Sequence, residues 1–200
     1  MAGGEAELQK GHDSVSERRV LELTRAGDPI LRKVMPRVAP EDILSAEIQD
    51  LINNIRYTCR ERQYGVGLAA PQVGARYALS VIGIKPTPNR PELEPFDQVI
   101  INPSYEGIGE PNGKWEGCMS IGSGDDLLYG QAERFDEIEA EWLDEFGEYH
   151  KRILGGFVAH VFQHEADHVN GVLFVDKVRD TTTFMMADEY RKRIVEEVKL

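Results

Sequence analysis

The chain reads as an α+β domain, on three observations. Residues 41–62 and 157–169 carry apolar side chains at helical spacing. Between them lie segments whose β-branched, aromatic or alternating residues suit strands. Two of these, Phe135–Leu143 and Glu148–Ile153, flank Asp144-Glu145-Phe146-Gly147, which has the composition of a hairpin turn and so predicts an antiparallel pair.

Each element follows from local chemistry. Pro40 and the acidic Glu41 and Asp42 open the first helix, which places Leu44, Ile48, Leu51 and Ile55 on one face and Cys59 on the apolar side as a small buried residue. Gly65, Gly67 and Pro71 oppose its continuation, so 65–72 is expected to be extended or looped. Strands are expected at Tyr77–Ile84 and Gln98–Ile101, separated by a Pro- and Glu-rich loop at 86–95, and Trp115–Ser120 reads as a short turn. Phe157 and Val161 share a stripe with His164 and His168, at intervals of four, three and four, so both imidazoles face the core. Asn170-Gly171 supplies the helix stop, and a last amphipathic helix is expected from about 184 to 198 with Met186, Tyr190 and Ile194 on one side.

Composition narrows the function classes. Two hundred residues, 22.5 kDa and 41% hydrophobic content fit one domain with a sizeable core. A net charge of −12 and a pI near 4.9 argue against direct nucleic-acid binding or attachment to an anionic membrane, because phosphate surfaces call for clustered Lys and Arg. Any contact with a ribosome would be local. Cys59 and Cys118 are the sole cysteines, so no disulfide framework is expected and a reducing, cytoplasmic location is favoured. No stretch approaches the roughly 20 apolar residues of a membrane span, and the N-terminus lacks the order of a secretory signal. Residues 1–18 mix Gly, Ser and both charge signs and are read as a flexible tail before a single domain at 19–200, leaving His12 outside any site.

His164-Glu165-Ala166-Asp167-His168 carries the chemistry. On a helix it puts two imidazoles four residues apart on one face with a carboxylate beside them, an arrangement that can hold a divalent metal and move a proton. A chain of this size shows H-E-x-x-H by accident about one time in a hundred. A catalytic metal takes a third protein ligand and leaves one position open. The long metzincin pattern fails, since Gly171 is in register but Phe174 stands where its third His belongs. Downstream Asp176, Asp180, Asp188 and Glu189 remain candidates for a zincin-type metallopeptidase. Upstream, Cys118 could present a thiolate, although a lone Cys is more often a small buried hydrophobe. Gly65, Gly67 and Ala70 satisfy G-x-G-x-x-A, but they follow a helix and meet Pro71, which rules out a dinucleotide fingerprint. The glycines instead permit close approach of another backbone, such as a bound peptide, and Gln72 adds an amide donor.

Three segments, GVGLAAPQ at 65–72, EGCMS at 116–120 and QHEADH at 163–168, resemble the signature motifs of the peptide deformylases. The similarity extends to GDPILRKVMPRV near the start, IINP at 100–103 and NGVLFVDKV after the metal helix, covering roughly residues 20–178. The resemblance implies antiparallel sheets around a central metal-binding helix, with an N-terminal and a C-terminal helix. It implies that Cys118, His164 and His168 hold one divalent ion, natively Fe(II), with Zn, Ni or Co as substitutes. Glu165 would be the general acid/base, Gln72 the oxyanion donor together with the Met119 N–H, and Gly65, Val66, Gly67, Glu116, Gly117 and Met119 the substrate contacts. The implied activity is hydrolysis of the N-formyl group from formylmethionine at the start of nascent polypeptides, a step of protein biosynthesis that releases formate, with transient ribosome association. Met119, Gly122 and the run Ser123-Gly124-Asp125-Asp126 depart from the family's usual Leu, Pro and Arg-containing loop, and His160 stands where Arg is common. His160 is read as a surface residue or a support for a ligand, and the altered loop keeps a non-catalytic peptide-binding relative in view.

Overall fold

The computed structural model describes residues 18–62, 65–87 and 91–196, so the expected tail lies outside the described residues apart from Arg18. In chain order the described strands are β1 (Gly67–Ala69), β2 (Leu79–Ile84), β3 (Phe96–Ile108), β4 (Asn112–Gly117), β5 (Leu128–Arg134), β6 (Glu137–Leu143), β7 (Tyr149–Gly155) and β8 (Met185–Met186). The α-helices are α1 (Ala46–Glu61), α2 (Gly156–Val169) and α3 (Ala187–Tyr190). Strands β1-β2-β3-β6-β7 form one antiparallel sheet and β4-β5-β8 a smaller one, which bears out the α+β expectation. Among the described residues no helix is long and apolar enough to cross a membrane.

The central strands are apolar on both faces because both faces are covered. Leu79, Val81, Val99 and Ile101 pack with Ile48, Ile52 and Ile55 of α1. Their alternate neighbours Ile82, Ile84 and Ile100 pack with Phe162 and Ala166 of α2. The period of two thus sends adjacent residues into opposite cores, and each fully buried aliphatic side chain contributes about 1.5–3 kcal/mol.

Several boundaries differ from the sequence expectation. Helix α1 starts at Ala46, because Pro40–Asp42 forms a separate 3-10 turn and Ser45 is the cap, its Oγ accepting from the Ile48 N–H at 3.4 Å. Strand β3 continues far past Ile101. Pro103 is absorbed by a register shift between Ile101 and Ser104, where Asn102 adopts a φ of 54° and its side chain pairs with the Val38 N–H and C=O at 2.8 and 2.9 Å. The Trp115–Ser120 segment is half strand, with β4 running to Gly117 and the turn beginning at Cys118, whose C=O accepts from the Ile121 N–H at 2.8 Å. The hairpin between β6 and β7 is present as expected, its turn fixed by Asp144 Oδ1, which accepts from the Phe146 and Glu148 N–H groups, both at 2.9 Å. The C-terminal helix starts at Ala187 and not near 184, since Met185 and Met186 pair with Tyr129 and Leu128 as β8. It continues as a π-helical turn over Arg191–Glu196, and its expected end at 198 lies outside the described residues.

Candidate metal centre

Helix α2 buries a polar face. Glu165, Asp167 and His168 are all at most 5% exposed, and a helix can afford this only if each polar atom finds a partner. The turn after β4 brings Cys118 onto that face. Cys118 Sγ lies 3.4 Å from His168 Nε2, which lies 3.2 Å from His164 Nε2, and the three donor atoms all fall within 4.8 Å of one another. Donors bonded tetrahedrally to one ion at about 2.0–2.3 Å sit about 3.3–3.6 Å apart, so this thiol and imidazole set fits a single divalent metal.

Glu116 controls the orientation of that set. Its Oε2 accepts from His164 Nδ1 at 2.7 Å, which puts the proton on Nδ1 and turns the Nε2 lone pair toward Cys118 and His168. His160 Nε2 reaches the same oxygen at 3.2 Å, while Arg134 Nε donates to Oε1 at 3.0 Å. Arg134 also donates through Nη1 to Asp167 Oδ2 at 2.5 Å, and the Tyr105 hydroxyl donates to Asp167 Oδ1 at 3.2 Å. Burial works against the charge on Glu116, but His164, His160 and Arg134 outweigh it and hold the carboxyl well below its usual range. Burial likewise opposes charge on His164, yet the adjacent Glu116 holds it well above its ordinary value. His168 is pushed well below by burial and by the charge of His164. Two rings this close accept one positive charge between them, the condition a shared cation meets.

Gln72 and Glu165 approach the same point. The Ala69 N–H donates to Gln72 Oε1 at 2.8 Å, which fixes the amide so that Nε2 points at Cys118 Sγ, 3.5 Å away, and at Ser120 Oγ, 3.3 Å away. The N-terminal segment straps both loops, with the Thr24 N–H on the Gln72 C=O and the Ala26 N–H on the Ser120 C=O, each at 2.7 Å. Burial raises Glu165 to about 7, with His164 pulling it down and Glu116 pushing it up, and its Oε2 has no partner among the described residues. A cavity of about 330 Å³ exposes Gln72, Cys118, His164 and Glu165 together.

The comparisons with known proteins agree with this geometry. The family model for polypeptide deformylase matches residues 20–184. The chain belongs to the polypeptide deformylase family. Peptide deformylase 2 of Nostoc sp. is 36% identical over 184 residues, covering 90% of this chain and 98% of the relative. A class I type b peptide deformylase from Acinetobacter baumannii with Met-Ala-Ser bound superposes with a TM-score of 0.73 at 31% identity, over 81% of this chain and 100% of that one. A Synechococcus elongatus peptide deformylase in complex with actinonin gives 0.63 at 32% identity, over 96% and 91% of the two chains. The chain is therefore a peptide deformylase and a metal-dependent hydrolase. The metallopeptidase and binding-relative alternatives are not favoured.

The deformylase site refines several sequence expectations. Gly65, Val66, Gly67, Gly117 and Met119 line the cavity. Gly67 serves the protein itself, however, because a Cβ there would lie 2.3 Å from Glu165 Oε1. Glu116 also borders the cavity, and its carboxylate is engaged by Arg134, His160 and His164. His160 is half-buried on that carboxylate, as a support and not a fourth donor. Asp176 and Asp180 are engaged elsewhere, Asp176 with Arg32 and the Leu173 N–H, Asp180 with Thr182, and neither belongs to the donor cluster. Arg134, Asp167 and Tyr105 escaped the sequence reading. The signal available was Asp167 itself, a second acid on the buried face of α2.

Proposed function

We propose that Cys118, His164 and His168 hold one divalent ion, natively Fe(II) with Zn, Ni or Co able to replace it, and that the site removes the formyl group from formylmethionine at the start of nascent polypeptides. The observation that carries this reading is the convergence of a thiol and two imidazole nitrogens within 4.8 Å in the cavity that also presents Gln72 and Glu165. Bound there, the ion would act as a Lewis acid and make water available as a nucleophile near neutral pH.

The chain's own residues account for the remaining work. Glu165, raised to about 7, can take a proton from water and return it to the departing amine, so no covalent acyl-enzyme is required. Gln72, held by the Ala69 N–H, donates its Nε2 hydrogen toward the oxygen that gains charge as the formyl carbon becomes tetrahedral, and the Met119 N–H joins it. One such donor is worth about 3 kcal/mol in the barrier. Glu116, braced by Arg134, keeps His164 in the required tautomer. We place the reaction in the cytoplasm, with residues 19–200 working as one catalytic unit and at most transient contact with the ribosome.

Formate release from a formyl-Met-Ala-Ser peptide, measured with anaerobically prepared protein, tests the reading. Glu165→Gln should retain metal and lose turnover, whereas Cys118→Ala should lose metal itself. A protein that binds metal through these residues yet releases no formate with iron, nickel or cobalt would overturn it.

A further inference from the structure

The catalytic cavity has an aromatic outer wall that the C-terminal segment assembles. Tyr190 stacks on Tyr129, ring centroids 4.0 Å apart and planes 3° from parallel, and meets Trp115 at 5.5 Å and 59°. All three rings line the cavity that contains Cys118 and Glu165. Register ties them to the reacting end. Trp115 and Gly117 lie on one face of β4, and Tyr129 of β5 sits opposite Gly117, the residue before Cys118. A Cβ at Gly117 would approach Tyr129 Cε1 at 3.3 Å and the Leu128 carbonyl oxygen at 3.0 Å, so glycine lets the Tyr129 ring lie close over β4.

The third ring is held by three separate anchors. Phe184 seats on Gly130, where a Cβ would come within 2.8 Å of its ring. Met185 and Met186 pair with Tyr129 and Leu128. Beyond Tyr190, Arg191 Nη2 pairs with Asp125 Oδ1 at 2.6 Å, which ties the segment to the acidic loop that departs from the family pattern. Such anchoring on both sides fixes a large, half-exposed aromatic surface at the mouth of a catalytic cleft.

We propose that Trp115, Tyr129 and Tyr190 form a specificity surface for the substrate side chains that follow the N-terminal methionine, favouring apolar and aromatic ones. The inference rests on the deformylase reading of the adjoining cavity. Aromatic faces reward stacked or edge-on rings and long aliphatic chains. An acidic side chain gains little from aromatic faces, the neighbouring Arg191 is already paired with Asp125, and the net charge of −12 works against it.

Two measurements test this. First, kcat/KM is compared for formyl-Met-X-Ser and formyl-Met-Ala-X peptides with X as Ala, Phe or Asp, in the native protein and in Tyr190→Ala and Tyr190→Phe. Phe is expected to exceed Ala by about threefold to tenfold at one of the two positions, through KM, with Asp below both. Tyr190→Ala should bring the Phe-to-Ala ratio toward one, and Tyr190→Phe, which keeps the stacked ring, should restore it. Second, the corresponding deformylated peptides are titrated against Trp115 fluorescence in Trp142→Phe protein, which reads the wall without turnover. Quenching that tracks X but comes with no formate release would sink the activity and leave the surface. Formate release indifferent to X in the native protein, or a ratio unchanged in Tyr190→Ala, would sink the surface and leave the activity.

Discussion

Gly67→Ala isolates the position of the Glu165 carboxylate from the stability of the fold. A methyl group built at Gly67 lies 2.3 Å from Glu165 Oε1, 2.7 Å from Cδ and 2.9 Å from Cγ. Restoring ordinary contact requires the carboxylate to move by about 1 Å. Helix α2 is packed along its length and cannot yield, but the Glu165 side chain can, because Oε2 has no partner among the described residues to hold it. The folding cost should therefore sit at the low end of overpacking, about 1 kcal/mol, or about 2–4 °C in Tm. The catalytic cost should be far larger. A displacement of about 1 Å in a reacting group costs about a hundredfold, equivalent to about 2.7 kcal/mol. Metal content, thermal melting and kcat/KM for formyl-Met-Ala-Ser should be measured on one preparation. Gly83→Ala in β2 is the control, since nothing lies within 4 Å of its built Cβ, and it should change kcat/KM less than twofold. A Gly67→Ala protein that binds metal and keeps more than a third of native kcat/KM would refute the argument that this carboxylate must sit where β1 allows it.

Arg134→Met removes the sole cation bridging Glu116 and Asp167 among the described residues, leaving two buried carboxylates, and should cost about 3–5 kcal/mol, seen as a fall of about 10 °C in Tm together with weaker metal retention. Acid stability should depend in part on Asp144. Burial there opposes charge, but His150 and the Phe146 and Glu148 N–H groups prevail and lower the pKa from 3.8. A lowered folded pKa means stability that is present in full above the unfolded value near 4 and lost as pH falls through the folded one, so Asp144→Asn should flatten melting curves recorded between about pH 5 and pH 2. Burial lifts the Cys59 thiol to about 12, aided by the charge of Glu165, so iodoacetamide at pH 8 should spare it. After chelation Cys118, which borders the cavity, should be the alkylated site, as mass spectrometry of tryptic peptides will show.

The large sheet and the donor set were legible because their residue types agree with their environments. The Ile and Val of β2 and β3 fill two cores, and the paired imidazoles on α2 announce a shared partner. Pro103 misled for a local reason, since a proline normally ends a run of ladder bonds but here occupies the bulge beside Asn102. The small sheet was illegible for a different reason. Strand alternation is read by asking which residues are apolar, yet the buried face of β4 and β5 carries Glu116 and Arg134 at 7% and 1% exposure. Each is charged, and each is buried against partners of opposite charge that include the other. A pairing across eighteen positions of sequence leaves no periodic trace. Tyr129 and Tyr190 were hidden likewise, since their stacking requires β8 to return to β5.

Glu116, Arg134 and Asp167 form one electrostatic unit. Arg134 supplies one positive charge against the two negative charges of Glu116 and Asp167, so the interior behind the imidazoles holds an excess of about one negative charge. Left alone, that excess would be costly to bury. The His164 and His168 pair cannot carry more than one compensating proton, because two charged rings with nitrogens 3.2 Å apart repel. A divalent ion beside a thiolate leaves a net charge of about one positive unit at the same place, and it does so without a proton that Glu165 would have to compete with. The charged strands thus do more than brace one imidazole. They set a negative charge behind the imidazoles that one proton on the pair or a divalent ion beside a thiolate can balance, and in that way the buried pairs of the small sheet couple the fold to the donor set.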